Sequence, residues 1–336
     1  MDNGDFSPCA YIRLLQPLDH PAIGDAFDIV VADADAALRY RADIIATQRY
    51  AVPDVAAAER LVAHCRRTGA TLAYDLDDDL LRIPRDHPDA VMLRPKAKVV
   101  QRLLRDAGVV FVSTPALAAG LAPLRSDVVV VPNALDERIW APPGGTRPGR
   151  RFQASPGRLL CMGTATHGAD FAMIEPVLGR LYETFTERVT IDILGVSTRA
   201  DLPDWANRPS MPPGTTATYP GFVNWFTGQD RWDVGLAPLT DTAFNRCKSP
   251  IKTLDYAALG LAVVASDVAA YRGSLADGPG GLLAANRPEA WYAALSRIVR
   301  DAELRGRLAH GARAAFDVQG TLASQAAARR AAWLAA

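Results

Sequence analysis

The sequence predicts an α/β chain with two doubly wound, Rossmann-like domains, and three observations predict it. Short apolar runs alternate with amphipathic helical stretches in both halves of the chain. Several of these runs, such as VVFVS and VVVVP, are apolar throughout, which is typical of parallel strands covered by helices on both faces. Between the halves, residues 141–157 are rich in Pro, Gly and Arg, which indicates a linker.

The composition of the chain excludes several classes of protein. The 336 residues are 49% hydrophobic, and 37 Lys+Arg balance 37 Asp+Glu, so the formal net charge is +0. This composition excludes a disordered or fibrous chain. It also argues against a protein that binds nucleic acid through an overall positive charge. No secretory signal and no stretch of 18 apolar residues is present, so we expect a cytoplasmic protein. The four cysteines are widely spaced, form no zinc pattern and are expected to be reduced.

The first domain is predicted over residues 1–140. Its clearest helical pattern is Val55–Arg67, where Ala56, Leu61, Val62 and Cys65 can share one face. Its strands are expected at Tyr11–Leu15, Asp28–Ala32, Ile44–Thr47, Thr71–Leu76, Val109–Ser113 and Val128–Pro132.

The second domain is predicted over residues 158–318, and a final helix, 319–336, could cross back to the first domain. Strands are expected at Arg158–Gly163, Thr190–Gly195, Ala217–Gly221, Val234–Leu239, Ala262–Ser266 and Gly281–Ala285. Helices are expected at Asp170–Thr184, Pro250–Leu259, Pro288–Arg300, Ala302–Phe316 and Gln319–Leu334. Ligands of such domains bind at the carboxyl ends of the strands.

The segment CMGTATHGAD follows the first strand of the second domain. Small residues around Gly163 would let backbone N–H groups approach a ligand, and a helix N-terminus favours an anion. Thr164 and Thr166 can donate hydrogen bonds to phosphate, and His167 can donate or carry charge. The alternative is an ordinary strand-to-helix turn in which Asp170 caps the helix.

The segment NRCKSPIKTLDYAALG predicts a helix with Ser249 as its N-cap and Pro250 as its first residue. Cations at a helix N-terminus oppose the helix dipole unless an anion binds there. The sequence therefore predicts a diphosphate site, and Asp255 could accept hydrogen bonds from hydroxyls. The alternative is a solvated Lys-Asp pair. The cations concerned are Arg246, Lys248 and Lys252.

The segment YDLDDDLL places four carboxylates at the end of a strand, where like charges repel one another. They need solvent, basic partners or a ligand, and Arg82, Arg85, Arg94, Lys96 and Lys98 follow them. A divalent metal site, hydroxyl binding in a cleft without metal, and a solvated turn remain open. The cleft position without metal makes Asp75, Asp77 and Asp78 candidates for binding an acceptor.

The segment YPGFVNWF is expected to end a strand and to offer an apolar patch for a nucleotide base, although Trp225 and Phe226 fit the core better. The remaining histidines lie in no constellation. No G-x-S-x-G, Walker loop or G-x-G-x-x-G occurs in the sequence.

These residues carry a resemblance to a known family. GTATH, IDILGV and WDVGLAPLTDTAFNRCKSPIKTLDYAALGLAVVASDV resemble the donor-binding half of GT-B retaining glycosyltransferases, and YDLDDDLL, VFVSTPALAAGL and VVVVPNALD are similar to their first half. Among these proteins, the chain resembles the members found in bacterial polysaccharide and O-antigen gene clusters. The resemblance covers residues 74–271, and residues 245–267 are its specific part.

The resemblance implies two domains facing a cleft, with a nucleotide sugar bound by the second domain and the acceptor by the first. It also implies transfer with retention and without metal or another cofactor. Many members carry two glutamates around this helix: the second matches Asp255, expected to contact the ribose, and the first falls on Cys247. The expected catalytic residues are Lys248, Lys252 and His167. The expected donor-binding residues are Gly163, Thr164, Thr166, Phe222, Val223, Arg246, Ser249, Ile251 and Asp255.

The leading hypothesis is therefore a glycosyltransferase that moves a sugar from a nucleotide-sugar donor to a glycan or lipid-linked glycan in bacterial polysaccharide synthesis. A lipid-linked acceptor would bring the protein to the inner face of the membrane. The alternative is a non-catalytic glycosyltransferase-like module that binds a nucleotide or glycan or scaffolds a partner, and Cys247 motivates it. A weaker reading is a GT-B sugar-nucleotide epimerase.

Overall fold

A computed structural model describes residues 6–141, 157–199 and 202–336. The chain divides into two compact units. Unit 1 contains the residues up to Asn133 together with Arg246–Ser249 and Gln325–Ala336, and unit 2 contains Ala134–Asn245 and Pro250–Ser324. Apart from its two end residues, the predicted linker 141–157 lies outside the described residues. No helix in the described part of the chain is long and apolar enough to cross a membrane.

Unit 1 holds a parallel sheet of four strands in the order β1-β2-β3-β4. Because the strands are parallel, their carboxyl ends share one edge, and the polar side chains that follow them gather there. The strands are β1 (Ile44–Gln48), β2 (Thr71–Leu76), β3 (Val109–Val112) and β4 (Val128–Val130).

The longer helices of unit 1 cover this sheet. In the Val55–Thr68 helix, Asp54 accepts a hydrogen bond from the Ala57 amide at the N-terminus and Gly69 ends the helix in the left-handed conformation. The helices are α1 (Pro8–Ala10), α2 (Gln16–Asp19), α3 (Pro21–Gly24), α4 (Ala34–Ala37), α5 (Val55–Thr68), α6 (Ala90–Leu93), α7 (Ala97–Asp106) and α8 (Pro115–Leu121); a π-helical turn, Tyr11–Leu15, joins α1 to α2, and a 3₁₀ turn, Arg94–Lys96, joins α6 to α7.

Two strand predictions for this unit are wrong. Tyr11–Leu15 is helical because Ser7 caps a helix that has Pro8 in its first turn, a start signal that outweighs the apolar run. Asp28–Ala32 pairs with none of the described strands, and its apolar side chains are exposed. Ile44–Thr47, Thr71–Leu76, Val109–Ser113 and Val128–Pro132 each coincide with a strand to within two residues.

Unit 2 holds a parallel sheet of six strands in the order β10-β9-β8-β5-β6-β7. Counted along the chain, that order is sixth, fifth, fourth, first, second, third, which is the Rossmann arrangement. The strands are β5 (Gly157–Met162), β6 (Val189–Leu194), β7 (Ala206–Asn207), β8 (Val234–Ala237), β9 (Ala262–Ser266) and β10 (Gly281–Ala284). The prediction of an α/β chain with two parallel sheets is confirmed.

The helices of unit 2 bury a continuous apolar core against this sheet, with Ile174, Leu178 and Leu295 fully enclosed. The helices are α9 (Glu137–Trp140), α10 (Gly168–Phe185), α11 (Tyr219–Thr227), α12 (Ile251–Ala258), α13 (Pro288–Arg300), α14 (Ala302–Gln319) and α15 (Leu322–Leu334), with 3₁₀ turns at Ala165–His167, Thr186–Arg188 and Asn245–Cys247.

The strand predicted at Ala217–Gly221 is wrong. Thr218 accepts a hydrogen bond from the Gly221 amide and Pro220 lies in the first turn, so α11 begins here. Phe226 is fully buried, as predicted for a core residue, and its ring packs edge to face on Trp140. Trp140 also donates to the Tyr219 hydroxyl, 3.1 Å away, which explains why residues 134–140 pack with unit 2 rather than with the first domain.

Helix α15 belongs to both units. Its first residues, up to Ser324, lie in unit 2, and the rest lies in unit 1. In unit 1, Trp333 packs against Phe111 of β3 with a ring-centroid distance of 4.7 Å, and buried Arg329 donates to the Pro132 carbonyl.

Candidate functional site

Unit 2 has one topological switch point, between β5 and β8. The two strands pair in register, with Cys161 beside Leu236, and their connections leave toward opposite sides of the sheet. Ligands of such sheets bind outside the carboxyl ends of the strands at this point. The candidate site is therefore built from the residues that follow Met162 and Ala237.

Tyr256 of α12 ties these two strands together. Its hydroxyl donates to the Leu236 carbonyl at 2.9 Å and accepts from the Met162 amide at 3.1 Å. Its ring lies against Gly235, where an added Cβ would stand 2.2 Å from the ring. The absence of a side chain at Gly235 thus lets α12 approach the switch point closely.

Lys252 and His167 converge on the turn after β5. A Cβ added to Gly163 would lie 3.3 Å from the Lys252 ammonium nitrogen, 3.3 Å from His167 Cδ2 and 2.8 Å from a Val196 methyl carbon. The glycine leaves a small space beside a cation and an imidazole at the carboxyl end of a parallel strand. An anionic group fits the chemistry of that space.

Asp170 connects the two sides of the switch point. One carboxylate oxygen is 2.8 Å from His167 Nδ1, and the other accepts from the Thr240 amide at 2.7 Å and its hydroxyl at 2.8 Å. Burial opposes ionisation of Asp170, but the hydrogen bonds from His167 and Thr240 hold the pKa of its carboxyl below the usual range. Asp170 is therefore a charged anchor that orients the His167 ring through Nδ1.

The remaining candidates of the second domain lie in different surroundings. Thr164 and Thr166 share a 2.7 Å hydrogen bond in the exposed turn. Asp255, three residues after Lys252, is half-buried; burial raises the pKa of its carboxyl to about 7, and Lys252 opposes that shift. Ile251 is the half-buried first residue of α12.

The apolar patch predicted to hold a base is part of α11. Phe222 is half-buried and its ring stacks on Phe226 with a centroid distance of 5.3 Å. Val223 is fully buried, so its side chain offers no surface to a ligand. Of the two residues, only Phe222 is partly exposed.

Three predicted site residues before α12 belong to unit 1: Arg246, Lys248 and Ser249. The Lys248 ammonium lies 3.3 Å from an Asp78 carboxylate oxygen, so Lys248 forms an ion pair within unit 1. Ser249 is not the N-cap of α12, because Pro250 holds that position and the Ser249 hydroxyl accepts from Asn133 at 2.8 Å. Arg246 is exposed.

Cys247 is held in the same segment. Its carbonyl accepts from the Thr114 hydroxyl at 2.9 Å. Its side chain is buried, and burial together with Asp79 raises the pKa of the thiol. A buried neutral thiol thus occupies the position for which the resemblance implies a glutamate.

The four carboxylates at the end of β2 and directly after it each have a basic partner within unit 1, and most of these partners could not be predicted from the sequence. Only Arg82 was among the expected ones. The pairs and their shortest N–O distances are Asp75–Arg13 at 2.6 Å, Asp77–Arg49 at 2.9 Å, Asp78–Lys248 at 3.3 Å and Asp79–Arg82 at 2.5 Å.

The prediction that Asp75 faces an acceptor is corrected by its burial. Only 2% of Asp75 is exposed, and its oxygens accept from the Arg13 guanidinium and from Gln48. Asp77 and Asp78 lie at the carboxyl edge of the sheet beside Arg49 and Lys248, with 11% and 18% of their side-chain surfaces exposed. Arg13 could have been found only if the first segment had been predicted as a helix.

Comparisons with known proteins agree with this architecture. Residues 158–301 match the family described as glycosyl transferases group 1. Sucrose-phosphate synthase from Thermosynechococcus elongatus has a similar structure, with a TM-score of 0.63 and 12% identity over 90% of this chain and 76% of that chain. No curated protein matches the sequence significantly.

Two further solved structures are similar. HepE from Anabaena, in complex with UDP and glucose, has a TM-score of 0.61 and 13% identity over 90% of this chain and 80% of that chain. A glycosyltransferase from Rickettsia africae has a TM-score of 0.62 and 12% identity over 99% of this chain and 83% of that chain. At these identities the likeness establishes the fold, and the GT-B resemblance is confirmed.

Proposed function

We propose that this chain, a GT-B protein whose residues 158–301 match glycosyl transferases group 1, transfers a sugar from a nucleotide-sugar donor to a glycan or lipid-linked glycan. The observation that carries the proposal is the convergence of Lys252 and His167 on Gly163 at the switch point of unit 2. HepE, which shares the fold, was determined with UDP-glucose, so a UDP-sugar is the first donor to test.

The donor diphosphate would occupy the space beside Gly163. The Lys252 ammonium would contact a phosphate oxygen, and the exposed Thr164 and Thr166 hydroxyls would donate to it. Arg246, Lys248 and Ser249 are proposed as further donor contacts, which for Lys248 requires that it exchange the Asp78 carboxylate for phosphate. Asp255 would accept hydrogen bonds from the ribose hydroxyls, and Phe222 would lie against the base.

The chemistry requires stabilisation of a departing nucleoside diphosphate. Lys252 supplies a positive charge at the leaving group, and fixed charges aimed at developing negative charge are effective catalysts. With Nδ1 bound to Asp170, His167 would turn Nε2 toward the donor sugar or its phosphate. These groups would do the work that a metal ion does elsewhere, so we propose metal-independent transfer with retention and no cofactor.

Asp77 and Asp78 are proposed to receive the acceptor in unit 1, where their carboxylates could accept hydrogen bonds from sugar hydroxyls. Such an acceptor fits a role in bacterial polysaccharide synthesis. A lipid-linked form of it would place the protein at the inner face of the membrane, in the cytoplasm.

Calorimetric titration with UDP-, GDP-, ADP- and dTDP-sugars, with Mg²⁺ and with EDTA, tests donor binding. We expect one nucleotide class to bind equally well in both buffers. Lys252→Met should weaken that binding by about tenfold or more, since a charge-assisted hydrogen bond contributes about 1.5–3 kcal/mol. Lys98→Met, at an exposed lysine of unit 1, is the matched control and should bind as the wild type does.

Nucleotide release in the presence of glycan acceptors then tests transfer itself. Unchanged donor affinity in Lys252→Met would contradict the assigned phosphate contact. Binding that requires Mg²⁺ would contradict the metal-independent mechanism.

A second candidate is a non-catalytic module that binds a nucleotide sugar without turning it over. The buried thiol of Cys247 supports it, because a thiol with a raised pKa cannot replace a carboxylate at this position. Donor binding without nucleotide release, over a broad acceptor panel, would favour this function over transfer.

A further inference from the structure

Residues 90–106 of unit 1 form a continuous helical run. It consists of α6, the 3₁₀ turn Arg94–Lys96 and α7, and the residues at both junctions keep right-handed helical backbone angles. One side of the run is firmly packed, with Leu93, Val100 and Leu103 all at most 5% exposed. Because this side packs on the core, the opposite side of the run faces solvent.

The solvent face of this run combines apolar and basic residues. Exposed residues recur with alternating steps of three and four, which places them on one stripe of a helix. Val91 is 91% exposed and Met92 is 52% exposed at its N-terminal end. The stripe residues are Val91, Arg94, Lys98, Gln101 and Arg105.

The charge of the stripe is unbalanced, although the chain as a whole has a net charge of +0. In the described structure, neither Lys98 nor Arg105 forms an ion pair with a carboxylate, and Arg94 donates only to the Ile83 carbonyl. Exposed Arg85 lies just before the run. The nearby acids are few: Glu59 of α5 and Asp106 pair with Arg102, and Asp86 and Asp89 precede the run.

We propose that this stripe docks the protein on an anionic lipid surface. Its cations would lie among the headgroups, and Val91 and Met92 would enter the boundary between headgroups and acyl chains. The apolar pair distinguishes lipid from a nucleic acid, because a phosphate backbone attracts the cations but gives two exposed aliphatic side chains nothing to bury against. The inference deepens the part of the proposed function that places the protein at the membrane, because it names the surface that would bind. Vesicle binding without donor or acceptor tests this surface separately from sugar transfer.

Co-sedimentation of the full chain with vesicles tests the proposal. We expect binding to vesicles of phosphatidylcholine mixed with phosphatidylglycerol, weaker binding to phosphatidylcholine alone, and loss of binding in about 1 M NaCl, where the Debye length is about 3 Å. Lys98→Glu and Arg105→Glu should each weaken binding by at least about fivefold. Val91→Asp should also weaken vesicle binding when the salt concentration is low.

Matched controls use exposed residues elsewhere. Arg330→Glu makes the same charge change in unit 1, and Val318→Asp makes the same apolar-to-acid change at a residue that is 77% exposed in unit 2. Both controls should bind vesicles as the wild type does. Equal losses in controls and stripe variants, no effect of Val91→Asp, or binding to an RNA homopolymer without binding to anionic vesicles would each overturn the proposal.

Discussion

The Lys252 ammonium lies beside Gly163, 3.3 Å from the point where a side chain at that glycine would begin. Lys252 belongs to α12, and Gly163 directly follows β5. Their proximity therefore links elements from both sides of the switch point. Tyr256 fixes its geometry, because its hydroxyl bonds both strands next to this point. A cation held beside this glycine, at the carboxyl end of a parallel strand, is what the proposed diphosphate site requires.

Gly163→Ala should fill this site. The new methyl would lie 2.8 Å from a Val196 methyl carbon and 3.3 Å from the Lys252 nitrogen, so one neighbour must move. Overpacking of this kind costs about 1–3 kcal/mol, and we expect donor affinity to fall by about tenfold. The measurement is calorimetric titration with the nucleotide sugar that binds the wild type.

Gly168→Ala is the control for this variant. A Cβ at Gly168, the first residue of α10, would meet only the Val196 carbonyl oxygen at 3.8 Å. Alanine is favourable in a helix, so stability and donor affinity should stay the same or rise slightly. If both alanine variants lose affinity equally, the space beside Gly163 is not the donor site.

Asp170→Asn should destabilise unit 2 in a pH-dependent way. The folded state holds the pKa of Asp170 below its usual range, so the carboxylate stabilises the fold above the pKa of the unfolded chain. That contribution is lost as pH falls through the lowered folded pKa. We expect the wild type to exceed the variant by about 1–3 kcal/mol at neutral pH, and the difference to shrink below about pH 4.

Urea unfolding at several pH values measures this difference. Asp204→Asn, which changes an exposed carboxylate of the same unit, should show no comparable pH dependence. A constant gap between wild type and Asp170→Asn from neutral to acidic pH would show that the charge of Asp170 is not what holds His167 and Thr240.

Most elements of unit 2 could be predicted from sequence because their cues are local. β9 and α13 match the predicted limits, since a buried apolar run and a helix that starts with proline need no knowledge of neighbours. Asp28–Ala32 shows the limit of such cues, because its apolar run has strand-forming residues but no strand to pair with. Strand formation depends on a partner that composition does not reveal.

Site residues were harder to predict than the fold. Lys252 and His167 could be proposed as site residues because a cation near a helix N-terminus and a histidine in a strand-to-helix turn are unusual locally. The partners of the acidic segment were missed, because Arg13 and Arg49 precede Asp75 and Asp77 by many residues and meet them only through parallel pairing and helix packing. Long-range ion pairs leave no local pattern.

Asp75→Asn should therefore reduce stability rather than acceptor affinity. The change leaves the Arg13 guanidinium buried without its charge partner, and breaking a buried pair costs about 3–5 kcal/mol. Replacement of both residues, Arg13→Met with Asp75→Leu, should recover part of this loss, because no unpaired charge remains. Urea unfolding of the two variants checks the order of stability, and a fully stable Asp75→Asn with weakened acceptor binding would restore the original prediction.

Asp255 should make stability fall as pH rises, which is opposite to the effect of Asp170. Burial raises the pKa of the folded carboxyl to about 7, while an unfolded aspartate ionises near pH 4. Between these values the folded state keeps a proton that the unfolded state releases, so stability declines across the interval and levels off above pH 7. The decline is at most about 1.4 kcal/mol per unit of pKa difference, reduced by the part of the side chain that reaches solvent.

Asp255→Asn mimics the protonated carboxyl and should remove this decline. Relative to the variant, the wild type should lose stability from about pH 4 to 7 and then stay constant. Urea unfolding of both proteins over that range measures the difference, and Asp204→Asn serves again as the exposed control. Parallel pH profiles for wild type and Asp255→Asn would mean that the carboxyl is ionised throughout. The positive charge of Lys252 would then outweigh burial, and the ribose would meet a permanent carboxylate.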